Sequence, residues 1–203
     1  MVVARGTTLV DYLIPTSEKS RSLNLLRDAL IIIGFSLLTA LCAQVSFYLP
    51  FTPVPITLQT LAVLLTGAAL GKWRGALAML AYLAEGSAHL PFFAGGASGF
   101  PLLTGGYLIG FVLAAFVVGW LCERGLDRSL LTSALAMLPG SVIIYLVGAT
   151  WLGVALHANA ATAIAYGVTP FLIGDLLKLI AATLLLPAAW GLLRRVRSAK
   201  GSQ

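Results

Sequence analysis

Two ionisable residues three positions apart, Asp175 and Lys178, lie inside an otherwise apolar stretch running from Thr169 to Leu193. On a helix that spacing puts both side chains on one face, close enough to pair. A charge in hydrocarbon costs at least about 2.5–3.5 kcal/mol, so a retained pair needs a polar reason. A carboxylate accepts from N–H and O–H groups and an ammonium donates to carbonyls and carboxylates, which suits recognition of a small polar ligand. Two other roles fit the same pair: an ion pair that locks its helix to the bundle, or a relay in an ion- or proton-coupled carrier. A second constellation is the run Gly96, Ala97, Ser98, Gly99, which matches the pattern of an intramembrane serine protease. That chemistry needs a histidine base within hydrogen-bond reach of the serine, and only His89 and His157 are present, both beside outer connections. No G-x-x-x-x-G-K-[ST] loop occurs, so the chain does not hydrolyse ATP by that route. Cys42 and Cys122 fall at different depths of separate apolar runs and read as small packing residues, neither disulfide partners nor metal ligands.

The elements that must carry these residues follow from hydropathy. The chain is 59% hydrophobic and 10% charged over 203 residues, with a mean hydropathy of +0.97. A soluble domain cannot keep that much apolar surface from water. A spanning helix needs about 20 mostly apolar residues. Such runs are expected at 29–49, 56–70, 75–88, 105–121, 131–156 and 169–193. The fold class is therefore all-α, an integral membrane bundle of six transmembrane helices at 29–193, with a leader at 1–28 and a basic tail at 194–203. Asp11, Glu18, Lys19, Arg21, Arg27 and Asp28 make the leader unlike a cleaved signal peptide. Leu9, Tyr12, Leu13 and Ile14 form either a short amphipathic face on the bilayer or part of a loosely ordered segment. Pro50, Pro53 and Pro55 exclude regular helix between the first two spans. The Gly-rich segment 92–99 and this proline segment frame one face of the bundle, either as a lidded outer pocket, since irregular backbone near membrane depth must be covered or line a cavity, or as flexible surface loops. On the first span, Ser36 with Ala40 and Thr39 with Ala43 are small residues four apart. They permit close approach either of a partner's helix or of another helix in this chain.

The net charge of +6 does not indicate nucleic acid, because the basic residues track the membrane surface. Twelve of the thirteen fall on alternate connections: Arg5, Lys19, Arg21 and Arg27; Lys72 and Arg74; Arg124 and Arg128; Arg194, Arg195, Arg197 and Lys200. The three remaining connections carry none. Basic residues favour the cytoplasmic side, which places both termini in the cytoplasm and requires an even number of spans.

Several motifs in order along the chain resemble one family. They are Pro53 to Leu65 (PVPITLQTLAVLL), Gly67 to Gly75 (GAALGKWRG), Tyr82 to Gly86 (YLAEG), Leu90 to Gly96 (LPFFAGG), Gly105 to Phe111 (GGYLIGF) and Pro170 to Lys178 (PFLIGDLLK). Together they resemble the BioY family, the biotin-specific substrate-binding (S) components of energy-coupling-factor (ECF) vitamin transporters. The one departure is the stretch Gly99 to Thr104, shorter than its family counterpart, which implies a lid that closes differently. The resemblance implies a multi-pass protein of the bacterial cytoplasmic membrane that takes up biotin. It also implies partnership with a transmembrane coupling protein and an ATPase pair, with no cofactor and no enzymatic activity of its own. It places biotin among Asp175, Lys178, Tyr107, Phe93, Gly95, Gly96, Thr104 and Gln59. Asp175 would accept a ureido N–H, Lys178 would donate to a carbonyl or carboxylate, and Tyr107 and Phe93 would cover the apolar ring and chain. Thr104, Lys178 or loop amides would meet the carboxylate. A different vitamin on the same fold is the runner-up.

The charge pattern makes a direct prediction. In a background lacking Cys42 and Cys122, Ser98→Cys and Ala158→Cys should react with impermeant thiol reagents in intact cells. Ser129→Cys should react only after permeabilisation, and its labelling from outside would reverse the orientation.

Overall fold

Ser20 opens the first long helix, its hydroxyl accepting the Leu23 N–H at 3.3 Å, a standard N-cap bond. In the computed structural model, which describes residues 7–15, 20–101 and 103–200, this helix is the second of eight. Among the described residues these are α1 (Leu9–Leu13), α2 (Arg21–Gln44), α3 (Gln59–Leu70), α4 (Lys72–Ser87), α5 (Gly105–Glu123), α6 (Leu130–Ala155), α7 (Ala160–Gly167) and α8 (Leu172–Lys200). Among the described residues, four helical stretches are long and apolar enough to cross a membrane: Arg21–Gln44, Gly105–Glu123, Leu130–Ala155 and the combined Ala160–Leu193. Expectations resting on Arg5, Glu18, Lys19, residue 102 of the shortened connection and residues 201–203 of the tail lie outside the described residues.

Helix α5 is the hub. In its apolar window 61% of residues are buried within the chain, against 17% for α2 and 28% for α6, so α5 faces protein while the others keep a lipid-facing side. It packs on α3, α4 and α6. Close approach depends on missing side chains: a Cβ on Gly119 would sit 2.4 Å from the backbone of Gly71, and one on Gly67 2.5 Å from the Ala115 carbonyl oxygen. Gly71 itself, at φ 83°, reverses the chain between α3 and α4 in a conformation that side chains disfavour. The expected basic loop at 71–74 is thus a one-residue turn, with Lys72, Trp73 and Arg74 in the first turn of α4.

Other boundaries differ from the hydropathy reading for physical reasons. The first helix starts at Arg21, eight residues before position 29, because Ser20 caps it. It ends at Gln44, short of 49, because the chain turns into a small antiparallel hairpin, β1 (Ser46–Phe47) with β2 (Ile56–Thr57). Residues 56–58, expected at the start of the second span, belong to that hairpin and the turn after it. Helix α7 lies in a connection read as plain loop. Asn159 caps it by accepting the Thr162 N–H at 2.9 Å. The sixth expected span begins as a 3-10 turn at Thr169–Phe171 before α8.

The small residues of α2 pack inside this chain. Ser36, Thr39, Ala40 and Ala43 are all buried, against α4, and Ser36 donates to the Glu85 carboxylate. This favours the internal-packing reading of that pattern. Helix α1 does form, with Leu9 and Val10 buried and Leu13 and Ile14 exposed. Its Tyr12 ring meets Trp190 edge-on at 5.6 Å, so half of the expected surface face is turned into the bundle. Cys42 and Cys122 are free thiols, as expected, and Cys122 is buried in the second of two apolar clusters, the one around Leu64, Met137 and Trp190.

An ion-pair network anchors α1. Arg74 donates from Nη1 and Nη2 to the two Asp11 oxygens at 2.8 and 2.6 Å. Arg27 adds a bond at 3.0 Å and Thr8 another at 2.7 Å. Both arginines also reach Asp28, at 2.9 and 3.3 Å. Burial pushes the Asp11 carboxyl up, but the bonds from Arg74, Thr8 and Arg27 outweigh it and hold the group well below the usual carboxylate range. Its folded form therefore binds a proton less readily than its unfolded form. The stabilisation is complete above the ordinary aspartate range, near about 3.9, and is lost as pH falls below it. Asp11→Asn should cost about 1–2 kcal/mol after solvent screening. The melting temperature of the wild type in detergent should fall toward that of the variant as pH drops from 6 to about 3. Equal melting temperatures at neutral pH would remove the network from the stability of the fold.

Candidate functional site

A cavity, partly open to solvent, lies among α3, α5, α6 and α8 beneath the segments 54–57 and 93–94. Its polar end is built by three helices. On α8, Lys178 Nζ donates to Asp175 Oδ1 at 2.6 Å, the two side chains being 11% and 13% exposed. From α3, Thr60 donates to the same oxygen at 3.1 Å and accepts from Lys178 at 3.2 Å. From α6, Tyr145 donates to Asp175 Oδ2 at 2.6 Å. Spacing of three on α8 makes the ion pair, as read from the sequence. Thr60 and Tyr145 were not singled out there, because they come from helices 115 and 30 residues away in sequence.

This cluster leaves defined capacity. Oδ1 accepts two bonds, whereas Oδ2 accepts one and keeps a lone pair. Lys178 uses two of its three N–H donors within the chain. The ion pair is internally neutral, and what remains is one acceptor and one donor side by side.

A second polar chain runs along the α3–α4 side. Thr57 donates to Gln59 Oε1 at 2.9 Å, Gln59 Nε2 donates to the Tyr82 hydroxyl at 2.5 Å, and Tyr82 donates to the Phe92 carbonyl at 3.0 Å. Gln59 is buried, and its amide keeps a second N–H for the cavity it lines. The walls are apolar: Val54, Pro55, Phe93, Leu108, Phe111, Ile144 and Phe171, with the ring of Tyr107.

Two aromatics owe their placement to glycines. The Tyr107 ring lies where a Cβ on Gly148 would come within 2.2 Å of it, and its hydroxyl donates to the Gly167 carbonyl at 2.7 Å. Phe93 lies where a Cβ on Gly86 would come within 2.3 Å, and its ring meets Tyr82 edge-on at 5.5 Å.

Six of the eight residues expected at the site line this cavity: Asp175, Lys178, Tyr107, Phe93, Thr104 and Gln59. Gly95 and Gly96 do not. They form a 3-10 turn with φ 64° and 79°, facing Tyr48 and Gln44 on the outer surface, while their neighbour Ala94 reaches the cavity. The hairpin connection ties this turn down, Tyr48 donating to the Ala94 carbonyl at 3.0 Å, and is itself tied to α7, Thr52 donating to the Tyr166 carbonyl at 2.7 Å. The protease constellation is not assembled. Ser98 is exposed, and among the described residues no hydrogen bond joins it to either histidine. His89 and His157 have φ 69° and 51°, the left-handed residues that end α4 and α6. Among the described residues no group of three metal-binding side chains occurs.

A sequence model of the BioY family matches residues 16–195. The chain belongs to the BioY family. Among its relatives are the "Biotin transporter BioY" of Thermotoga maritima, 40% identical over 140 residues (68% of this chain, 81% of that one), and that of Rhizobium etli, 37% identical over 147 residues (68% and 78%). In shape the chain matches the crystal structure of an S-component for biotin from an ECF-type ABC transporter, with a TM-score of 0.73 at 24% identity over 88% of this chain and 95% of that one. At that identity the match speaks for the fold.

Tyr145→Phe removes one donor from a buried carboxylate and keeps the ring. It should lower stability in detergent by about 1.5–3 kcal/mol, the worth of a bond to a charged group. A melting temperature unchanged by the substitution would mean that Asp175 draws nothing from α6.

Proposed function

We infer that this chain binds biotin and serves as the substrate-binding component of an ECF-type ABC transporter. The observation that carries the reading is the spare acceptor and donor left by the cluster of Asp175, Lys178, Thr60 and Tyr145 at one end of an apolar cavity. A ureido ring offers N–H donors on both sides of a carbonyl acceptor. One N–H meets the free lone pair on Asp175 Oδ2 and the carbonyl takes the third N–H of Lys178. Phe93, Tyr107 and Phe111 cover the apolar ring and chain. Thr104, which lines the cavity and whose hydroxyl makes no hydrogen bond among the described residues, would meet the carboxylate. Gly95 and Gly96 act in this reading through the lid, by shaping the turn that carries Ala94 and Phe93.

The family names of the relatives point the same way, and a transporter subunit rather than an enzyme fits the unassembled serine site. We read the bundle as six crossings, α2, α3, α4, α5, α6 and α8, across residues 29–193, with a leader at 1–28 and a tail at 194–203. Helix α3 has 12 residues, about 18 Å of axis, so the extended segment before it completes the crossing. The alternating basic connections support cytoplasmic termini in a bacterial cytoplasmic membrane. For uptake we assign it a membrane coupling protein and an ATPase pair as partners, the other reading being that it works without them; the fold it shares with an S-component supports the first.

Asp175→Asn tests the assignment. It keeps the shape of the side chain but replaces one acceptor oxygen with a donor, at a bond worth about 1.5–3 kcal/mol. Biotin affinity by calorimetry should fall at least about tenfold, with melting temperature measured alongside, since Lys178 loses its counter-charge. Unchanged affinity in a folded variant would leave the ion pair as a structural clasp. Failure of the wild type to bind biotin, while binding another vitamin, would favour the runner-up substrate.

A further inference from the structure

The end of the bundle that carries the basic connections also carries an aromatic and cationic stripe that the cavity does not use. Along one face of α5, Phe116, Trp120 and Arg124 follow at intervals of four. That is eight residues, about 12 Å of helix axis. The Arg124 guanidinium lies 3.4 Å from the Trp120 ring centre, and Arg124 is exposed. No carboxylate pairs with it among the described residues. On the neighbouring helix, Trp73 is 66% exposed and packs edge-on against Phe116 at 5.1 Å. Lys72 lies beside it, its Nζ 3.6 Å from Glu123 Oε2, and Glu123 also accepts the Lys72 backbone N–H at 3.0 Å. Gly119 brings these two helix ends together, since its missing side chain lets the backbone of Gly71 and Lys72 lie against α5.

The stripe therefore grades from apolar Phe116, through two half-wet tryptophans, to a cation stacked on one of them. A phospholipid grades the same way over the same length, from acyl chain through the ester region to phosphate. The local charge is positive by one, since Glu123 offsets Lys72 and no carboxylate among the described residues offsets Arg124. We propose that the α4–α5 corner formed by Trp73, Phe116, Trp120 and Arg124 is a binding site for one anionic phospholipid. In this site the phosphate is held by the Arg124 guanidinium, with Lys72 in support, and an acyl chain lies along Trp73 and Phe116. Tryptophan belongs at the headgroup level of a bilayer, and basic residues between helix ends recognise anionic headgroups. The stacking on Trp120 holds the guanidinium in one plane and leaves its N–H edge free.

The test uses the full-length protein, delipidated in detergent and titrated with phosphatidylglycerol or phosphatidylcholine, with bound lipid counted by native mass spectrometry. One phosphatidylglycerol per chain should be retained at concentrations where phosphatidylcholine is lost. Arg124→Gln should weaken phosphatidylglycerol binding about fivefold, the worth of one basic residue at an anionic surface, with biotin binding unchanged. Trp73→Ala, at a position already mostly exposed, should weaken retention of both lipids. Equal retention of the two lipids, indifferent to Arg124→Gln, would overturn the site. So would displacement of the lipid by millimolar inorganic phosphate, which would mark a free-anion site. Loss of the coupling protein from Arg124→Gln preparations with lipid retention intact would reassign the corner to a protein contact.

Discussion

A carboxylate and an ammonium 2.6 Å apart, each almost enclosed by apolar helices, impose conditions that much of the upper bundle meets. Neither charge is stable there alone, and a mutual contact repays desolvation only when most of the remaining lone pairs and protons are also bound. Those bonds must come from other helices, because α8 offers Asp175 only its own Lys178. Thr60 and Tyr145 supply them, which requires α3 and α6 to converge on α8 at one depth. Once three helices are drawn to one point by short polar side chains, the space beside them is bounded by α5, and a cavity results. The site is therefore a consequence of how the buried pair is satisfied.

The opposite end of the molecule is held by different physics. There the apolar cluster around Trp190 and Met137 is closed by α1, whose Asp11 is gripped by two arginines from α2 and α4. The packing of α3, α4 and α5 at this end relies on bare glycine contacts at Gly67 and Gly119, where backbone meets backbone. Dense packing on one side and irregular loops on the other give the bundle a firm base and an adaptable mouth. The hairpin at 46–57 and the turn at 94–96 are joined by single hydrogen bonds such as Tyr48 to Ala94. Such a contact can open without disturbing the polar floor.

Much of this was legible in the sequence, to different degrees. Hydropathy located the long helices because the bilayer demands uninterrupted apolar runs, and it misplaced their ends because ends are decided by caps and glycines. Ser20 extended α2 by eight residues, and Gly71 turned an expected loop into a corner. Helix α7 was missed because eight small and apolar residues between two spans carry no membrane-length signal; the Asn159 cap was its one local sign. The ion pair at 175 and 178 was legible because both partners lie on one helix. Thr60 and Tyr145 were not, because an ordinary hydroxyl on an apolar helix gains meaning only from what it faces. The glycines under Tyr107 and Phe93 are the same case: Gly148 and Gly86 shape the cavity by absence.

The charge balance of the cavity narrows what it can hold. The ion pair sums to zero, and the remaining lining is neutral. A cationic ligand placed at the floor would compete with Lys178 for Asp175 and leave an unpaired ammonium, a penalty of several kcal/mol in such surroundings. An anionic group there would do the converse to Asp175. A neutral ring with adjacent donor and acceptor disturbs neither charge and takes up the one lone pair and the one N–H that the cluster leaves over. A ligand's own charge then belongs away from this pair, toward the open mouth of the cavity, where solvent screens it. This separation of a neutral polar head from a charged tail, across an apolar middle, describes biotin and argues against cationic vitamins on the same scaffold.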